Sequence, residues 1–454
     1  MRINKHRRNR HGASSIFLAI ILSAVILVEC TFLAFVWNLD YALSVNTALK
    51  TEIDTVLADY NRQLFDVYGV YAFSLEGIDN ECFNKALEIN GLTARSTLYV
   101  SGRHKVTTED LRKAISSYYL YRSTGLVAKT LVNSFSDMFL QLDNSGMLKK
   151  IGQFMDSPAA DYVSKIIKGS ETAEQWINKA GDVLNIDELL EEAANIDSLR
   201  KDYADSIRQS GMGIDVDVAN WEQFLDCMSG FESFGNTLSD ASLGTSTKFM
   251  TSHYCAYNFD CIMPPKDDAS INGTPFDAIH GTRKADCEYL IAGDNDFFTI
   301  FGLHLNLIYI LTAGNMLTDF ANETYRTTIN AISEVISLII AAVSEGTVQI
   351  DYRIIAVGLT FYVGLVQSMK NYYDLTKGER IVFFKYEDMD LLQFSYRDFL
   401  FLFCLFTPED DLLKRSLHVL KRDYGTLYKG VRLEADFRGE TYYVEKSYQL
   451  YESS

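Results

Sequence analysis

An apolar run near the N-terminus constrains this chain more than any other feature. Between Ala13 and Trp37 about 25 consecutive residues contain Glu29 as the only charged side chain. A helix rises about 1.5 Å per residue, so about 20 apolar residues cross the hydrocarbon core of a bilayer. The run therefore predicts a transmembrane helix over residues 13–37. A cleaved signal peptide is the alternative, but its apolar core would be about 7–15 residues long and would end in an Ala-x-Ala-like site.

The charge distribution predicts how that helix is oriented. The chain has 454 residues and a net charge of −18, and residues 1–12 have five basic side chains and no acidic one. The remainder therefore has a charge of −23. By the positive-inside rule residues 1–12 form a basic cytoplasmic leader. The protein is therefore expected to cross the cell membrane once, with its acidic body outside at the cell surface. A nucleic-acid partner is not expected, because phosphate binding needs clustered Lys and Arg.

Residues 38–66 extend the same helix. They lack Pro and Gly, and their apolar residues recur at three- and four-residue steps. The pattern predicts one continuous helix from about Ile16 to about Phe65, with an amphipathic outer half. The predicted helix packing face comprises Leu39, Ala42, Leu43, Leu49, Ile53, Val56 and Leu57.

Glu29 lies near the middle of the predicted span. An unpaired carboxylate there costs on the order of 2.5–3.5 kcal/mol. Either it is protonated or tilts toward the headgroups, or it makes an intramembrane contact with a positive group on a neighbouring subunit's helix.

The sequence after residue 66 indicates an α+β fold that is mostly helical and has a small antiparallel sheet. Strands are expected at Tyr68–Phe73 and Thr93–Val100, and a hairpin over residues 431–444 turns at Arg438-Gly439. Thr107 or Thr108 is expected to cap a helix. The extracytoplasmic body divides into a first part over 67–261, with a helical arm at about 159–210, a loop at 262–284, and a helix-rich second part over 285–454 that ends in the hairpin.

Four apolar runs in the second part need a choice between core and membrane. They are Phe297–Ala313, Val335–Val343, Ile354–Val366 and Phe399–Phe406. All are shorter than the roughly 18 residues expected of a spanning helix, and charged residues of both signs flank them. They are predicted to be core helices.

The N-terminal pattern resembles that of type IV pilin-like proteins: a basic leader, a glycine, an apolar helix with one glutamate, and an amphipathic extension. The segment from Ala48 to Phe73 is similar to the start of the pseudopilin-like (TadE/TadG-like) proteins of Tad, or tight-adherence, pilus systems in clostridia and related Firmicutes. Their run LxxYxxxLxxxYGLF is matched here by Leu57, Tyr60, Leu64, Tyr68, Gly69 and Val70.

This resemblance implies a non-catalytic, membrane-anchored component of a Tad-type pilus or related secretion apparatus. The implied partners are the lipid bilayer, other pilin-like subunits and the pilus assembly machinery. Gly12 and Ala13 form the candidate processing site. Cleavage there would leave Phe17 at the fifth mature position, where many pilins have Glu, and Glu29 at position 17.

No catalytic motif is recognisable. The sequence lacks a phosphate loop, HExxH, GxSxG and EF-hand spacing, and Gly211-Met-Gly213 is typical of a flexible turn. No catalytic residue, metal site or cofactor is therefore predicted, and an enzyme is not expected. An anchored receptor or adhesin that binds an extracellular ligand is the alternative, and an anchored enzyme of unknown class is third.

The cysteines leave three alternatives open. Cys255 and Cys261 enclose five residues and could form a disulfide in an extracytoplasmic body. Buried free thiols are the second alternative. A metal site built from His253, Cys255, Cys261 and His280 or Cys287 is the third, although the spacing is not that of a zinc knuckle.

Overall fold

The computed structural model describes residues 11–75, 78, 80–92, 96–121, 132, 135, 137–138, 140–142, 144–169, 171–179, 186–210, 224, 226–228, 247–266, 284–294, 296–383 and 393–451. The described residues are mostly helical with a small antiparallel sheet, as the sequence predicted. Most of the loop predicted at 262–284, the Gly211–Gly213 turn and residues 93–95 of a predicted strand lie outside the described residues.

The helices are α1 (His11–Ala58), α2 (Arg62–Tyr68), α3 (Asn80–Ile89), α4 (Thr108–Tyr121), α5 (Met147–Met155), α6 (Pro158–Lys168), α7 (Ala173–Lys179), α8 (Ile186–Ser210), α9 (Thr247–Asn258), α10 (Asp286–Ala292), α11 (Phe297–Ala321), α12 (Glu323–Val343), α13 (Tyr352–Thr376), α14 (Tyr396–Phe406) and α15 (Glu409–Tyr424). The strands are β1 (Leu98–Lys105), β2 (Ile381–Val382), β3 (Gln393–Phe394), β4 (Tyr428–Phe437) and β5 (Glu440–Ser447). They belong to two compact units. The first unit contains the described residues of 11–65, 69–110 and 424–451, and the second contains those of 66–68 and 111–423.

Helix α1 dominates the first unit and is 48 residues long. The prediction that it continues to about Phe65 is wrong, because the helix ends at Ala58. Asn61 then starts α2 as its N-cap, and its Oδ1 accepts a hydrogen bond from Leu64 N at 2.9 Å. The backbone N–H of Asn61 pairs with the carbonyl of Ala72, so a contact within the fold interrupts a pattern that has no Pro or Gly.

The sheet of the first unit has the strand order β1-β4-β5, with antiparallel pairing on both sides of β4. The predicted hairpin is confirmed: Phe437 pairs with Glu440 across Arg438 and Gly439, which both have positive φ. The other two strands are shifted from their predicted positions. The strand expected at Thr93–Val100 is observed at Leu98–Lys105, and of Tyr68–Phe73 only Phe73 forms a β-bridge, with Tyr428.

The core of this unit lies between the outer half of α1, α3 and one face of the sheet. Strand β4 alternates buried and more exposed side chains, so Val431, Leu433, Ala435 and Phe437 face the core. The predicted cap of α4 is confirmed at Thr107. Its backbone N–H donates to Asp110 Oδ2 at 2.8 Å, and its hydroxyl lies 3.3 Å from Asp110 N.

The second unit is a helical assembly in which α13 packs on α5, α8, α11 and α12. Helix α11 approaches α13 closely at Gly364, where an added Cβ would lie 2.9 Å from Met316 Cγ. The four apolar runs form helices, and each helix is longer than its apolar run. Helices α11, α12 and α13 have 25, 21 and 25 residues.

Candidate functional site

The inner half of α1 is an apolar helix surface that the described residues leave uncovered. None of its most apolar 18-residue window is buried. Large apolar side chains are exposed from Ile16 to Trp37 in every direction around the helix, and Trp37 itself is 73 % exposed. Soluble monomers rarely expose contiguous apolar patches of this size, so this segment requires a lipid or protein environment.

Insertion energetics favour a bilayer despite Glu29. Residues 15–37 include fourteen Leu, Ile, Phe and Val side chains. Each contributes about −0.3 to −0.6 kcal/mol to the insertion free energy at the centre of a span, so together they favour insertion by on the order of 4–8 kcal/mol. This exceeds the cost of about 2.5–3.5 kcal/mol for one buried carboxylate. Two other polar groups are satisfied within the helix, because Ser23 Oγ donates to Ala19 O and Thr31 Oγ1 donates to Leu27 O.

The predicted site residues at this end are all in one helix. Gly12 and Ala13 lie in the first turn of α1, which begins at His11. Glu29 is exposed on the apolar segment, and Cys30 beside it is exposed as well. The structure therefore presents Glu29 on the surface that a bilayer or another helix would cover.

The predicted packing face of α1 divides into two parts. Its outer residues Leu49, Ile53, Val56 and Leu57 are buried in the core of the first unit. Leu39 and Leu43 are 55 % and 66 % exposed, and Ala42 is half-buried. Part of the face thus packs on the chain's own sheet, whereas Leu39 and Leu43 are left mostly exposed by the described part of the chain.

Two aromatic contacts fix α1 on the hairpin. The Tyr41 ring meets the Phe437 ring edge-on at a centroid distance of 5.9 Å, and the Arg438 guanidinium lies 4.1 Å from the centroid of Tyr41. Further along the helix, Tyr448 donates its hydroxyl hydrogen to the carbonyl of Leu57 at 2.9 Å. The register between α1 and the hairpin is therefore set by several independent contacts.

The structure has Cys255 and Cys261 as buried free thiols, which agrees with the second of the three cysteine alternatives and not with a disulfide. Cys255 Sγ lies 3.5 Å from Ser416 Oγ, and Cys287 lies beside Cys404. Burial raises the pKa of Cys261 and of Cys287 well above the usual range, so both are neutral thiols with little reactivity. Among the described residues no three His, Cys, Asp or Glu side chains form a group that could hold a metal ion, and His280 lies outside these residues.

A buried polar network lies around His304 in the second unit. The His304 ring nitrogens lie 2.8 Å from the hydroxyl of Tyr372 and 3.2 Å from that of Tyr396, so both nitrogens of this buried ring have a hydrogen-bond partner. Arg397, which follows Tyr396 in the chain, is 1 % exposed, and its Nη1 donates to the carbonyls of Ala256 and Phe259.

Glu288 completes this buried polar network. It is fully buried, and its Oε1 accepts a hydrogen bond from Ile262 N at 3.0 Å. Burial raises the pKa of Glu288 to about 7, against the opposing effects of the Ile262 N–H and the Arg397 charge. These groups bind the chain around residues 256–262 through its backbone, which is a structural role. The charged pair of Arg397 and Asp398 directly before an apolar run was the available sequence signal for it.

Four described helices are long and apolar enough to cross a membrane, namely α1 from Ser15 and α11, α12 and α13. Their environments differ. The apolar windows of α11 and α13 are 78 % buried within the protein and that of α12 is 39 % buried, whereas that of α1 is uncovered. No known protein family, curated protein or solved structure matches this chain.

Proposed function

We propose that this chain is a non-catalytic, single-pass membrane protein that acts as a pilin-like component of a Tad-type pilus or a related secretion or surface apparatus. The observation that carries the proposal is the division of α1 between two environments. Its inner half is uncovered and apolar, and its outer half is buried on the antiparallel sheet of the same unit. One rigid helix can thus join a lipid-embedded segment to a folded body.

The environments of the other long helices support a single pass. Helices α11 and α13 bury most of their apolar surface inside the second unit, so lipid is not needed to cover them. Helix α12 is amphipathic: Ile332, Ile336 and Ile339 are buried, whereas Arg326 and Glu334 are exposed. A charged outer face suits water rather than hydrocarbon.

Charge supports the orientation. The five basic residues before the apolar segment favour a cytoplasmic N-terminus, and the acidic remainder favours an extracytoplasmic body at the cell surface. Protease treatment of intact cells tests this arrangement: the body is removed if it lies outside, and a fully protected body contradicts the orientation.

The mechanism that follows is lateral packing of α1 against other pilin-like subunits, in the bilayer or in a filament. Leu39 and Leu43 extend the uncovered apolar surface beyond Trp37, where a second helix can cover them. Glu29 lies on the uncovered segment and supplies a carboxylate for a positive group of that helix. Pairing with that positive group would offset the cost of the buried charge.

Site-specific photo-crosslinking in the native host tests this assembly. A photoreactive residue at Leu43 is expected to form adducts with small pilin-like subunits, identified by mass spectrometry. The matched control is Ile89, which is 85 % exposed in the same unit but lies outside α1. Adducts to lipid alone at Leu43, or equal protein adducts at both positions, would contradict assembly through α1.

Glu29→Gln tests the intramembrane contact separately. The substitution keeps the shape of the side chain and removes its charge. We expect the variant to insert normally and to recover less of the partner pilins on co-purification. Unchanged recovery would refute the charged contact while leaving the remaining packing of α1 intact.

A further inference from the structure

A cavity of about 180 Å³ lies in the second unit, in the groove between α12 and the first half of α13. Helix α5 and the end of α11 close its sides. Its lining residues are Lys150, Phe320, Tyr325, Arg326, Ile329, Asn330, Tyr352, Arg353, Ala356, Val357 and Thr360. No motif of the sequence pointed to this groove.

The base of the cavity is apolar. Ile329, Ala356 and Val357 are buried side chains of the two helices, and the Phe320 ring is 37 % exposed beside them. A cavity of about 150 Å³ with apolar walls accepts a molecule of the size of benzene. The space therefore fits a ring or a short aliphatic chain.

The lining side chains are cationic at three positions and include no carboxylate. Lys150 and Arg326 form no side-chain hydrogen bond or ion pair with the described part of the chain. The Arg353 guanidinium lies over the Tyr352 ring at 5.6 Å, and its Nε donates a long hydrogen bond of 3.4 Å to the Tyr352 hydroxyl. Asp351 is close enough to interact with Arg353 electrostatically. One Asp351 oxygen is already engaged with the backbone N–H of Arg353, at 2.9 Å. In a chain with a net charge of −18, such convergence of cations favours an anion.

A hydroxyl in the cavity supplies a second, independent observation. The Tyr325 hydroxyl is buried beside Thr360 and close enough to the Asp319 carboxyl to interact with it electrostatically, yet it has no hydrogen-bond partner of normal geometry among the described residues. The Thr360 hydroxyl uses its own hydrogen in a 2.8 Å bond to the carbonyl of Ala356. Buried hydroxyls without a partner are costly and rare, so a ligand oxygen that accepts from Tyr325 would relieve this cost.

We propose that this cavity binds a small organic anion: a carboxylate attached to an aromatic or short aliphatic body. The carboxylate lies between Arg326 and Arg353, with Lys150 at the rim, and accepts a hydrogen bond from Tyr325. The apolar body lies on Ile329 and Val357. Inorganic phosphate would satisfy the cations but would leave the apolar base in contact with water, so the two parts together select an amphipathic anion.

Fluorine NMR of the full chain in lipid nanodiscs tests the proposal, with empty nanodiscs as the blank. The probe is 4-fluorobenzoate, and its neutral counterpart is 4-fluorobenzamide. We expect saturable binding of the benzoate, at least tenfold weaker binding of the amide, and weaker benzoate binding at high salt. Equal binding of both probes, no saturable benzoate binding, or displacement by inorganic phosphate at similar concentration would each overturn the assignment.

Substitutions locate the binding in this cavity. Arg326→Gln and Arg353→Gln are each expected to raise the dissociation constant for 4-fluorobenzoate about tenfold, and Tyr325→Phe to raise it several-fold. The matched control is Arg208→Gln, because Arg208 is an 80 % exposed arginine of the same unit that pairs with Asp205. Wild-type affinity in all three cavity variants, or an equal loss in the control, would contradict binding at this site.

Discussion

Leu43 and Leu49 allow the two environments of α1's outer half to be compared with one chemical change. Both are leucines on the same helix, fewer than two turns apart. Leu49 is fully buried in the core of the first unit, whereas Leu43 is 66 % exposed. Leu→Ala removes the same atoms at both positions and changes helix propensity equally. Any difference in folding stability therefore reports burial alone.

The expected magnitudes differ by more than 1 kcal/mol. A buried Leu→Ala change costs about 2–5 kcal/mol, because transfer energy is lost and a cavity is left. Exposed substitutions usually change stability by about 0.5 kcal/mol or less. Since domains are stable by roughly 5–15 kcal/mol, Leu49→Ala should remove a substantial part of the stability of the first unit.

Hydrogen exchange measured by mass spectrometry on the full chain in detergent provides the assay. The relevant amides are those of β4, which pairs with both neighbouring strands. A loss of about 2 kcal/mol corresponds to roughly thirtyfold faster exchange where opening of the unit limits protection. We expect this for Leu49→Ala and about twofold or less for Leu43→Ala. Equal exchange in the two variants would refute the burial of the outer half of α1 on the sheet.

Two further predictions concern the second unit. Glu288→Gln keeps the hydrogen bond from Ile262 and removes a carboxyl whose pKa is about 7 when folded and about 4.5 when unfolded. The folded state holds this proton to higher pH, so wild-type stability falls as pH rises from about 4.5 to about 7. In urea unfolding, the free energy of unfolding of the variant should gain on the order of 3 kcal/mol relative to wild type over that pH range. A difference that does not depend on pH would exclude a buried carboxyl at this position. Gly364→Ala should lower the free energy of unfolding by about 1–3 kcal/mol in the same assay, because the new Cβ lies 2.9 Å from Met316 Cγ. The control is Gly302→Ala on α11, whose new Cβ meets nothing within 4 Å and which should be neutral or stabilising. Equal effects of the two glycine changes would contradict the close approach of α11 and α13.

Local patterns predicted the parts of the fold whose signals lie within a few residues. The alternation of Val431, Leu433 and Ala435 with charged residues, followed by Arg438-Gly439, identified the hairpin because side-chain period and turn chemistry agreed. The helix break at residues 59–61 was missed, since the apolar steps continue across it and its cause is the pairing of Asn61 with Ala72. Long-range pairing of this kind leaves no periodic signal.

The candidate sites show the same limit. The apolar run over residues 13–37 was sufficient to predict an uncovered helix, but the division of the packing face at Leu43 depends on where the sheet ends. The cavity beside α12 was not predicted, because Lys150, Arg326 and Arg353 come from three helices and no spacing connects them. Helix ends and groove contents are set by tertiary packing, which a single sequence does not record.

The position of Leu39 and Leu43 favours assembly over simple anchoring. Residues 15–37 span about 34 Å as a helix, which already covers a hydrocarbon core of about 30 Å. In the proposed topology Leu39 and Leu43 lie beyond the hydrocarbon, and among the α1 side chains the core of the first unit fully buries only those from Val45 outward. A helix used only as an anchor would gain nothing from large apolar side chains in this interval, since water would surround them. A second helix packed alongside α1 would bury them, and it would also approach Glu29 within the bilayer. In the proposed assembly one neighbouring helix would therefore cover Leu39 and Leu43 and also contact Glu29.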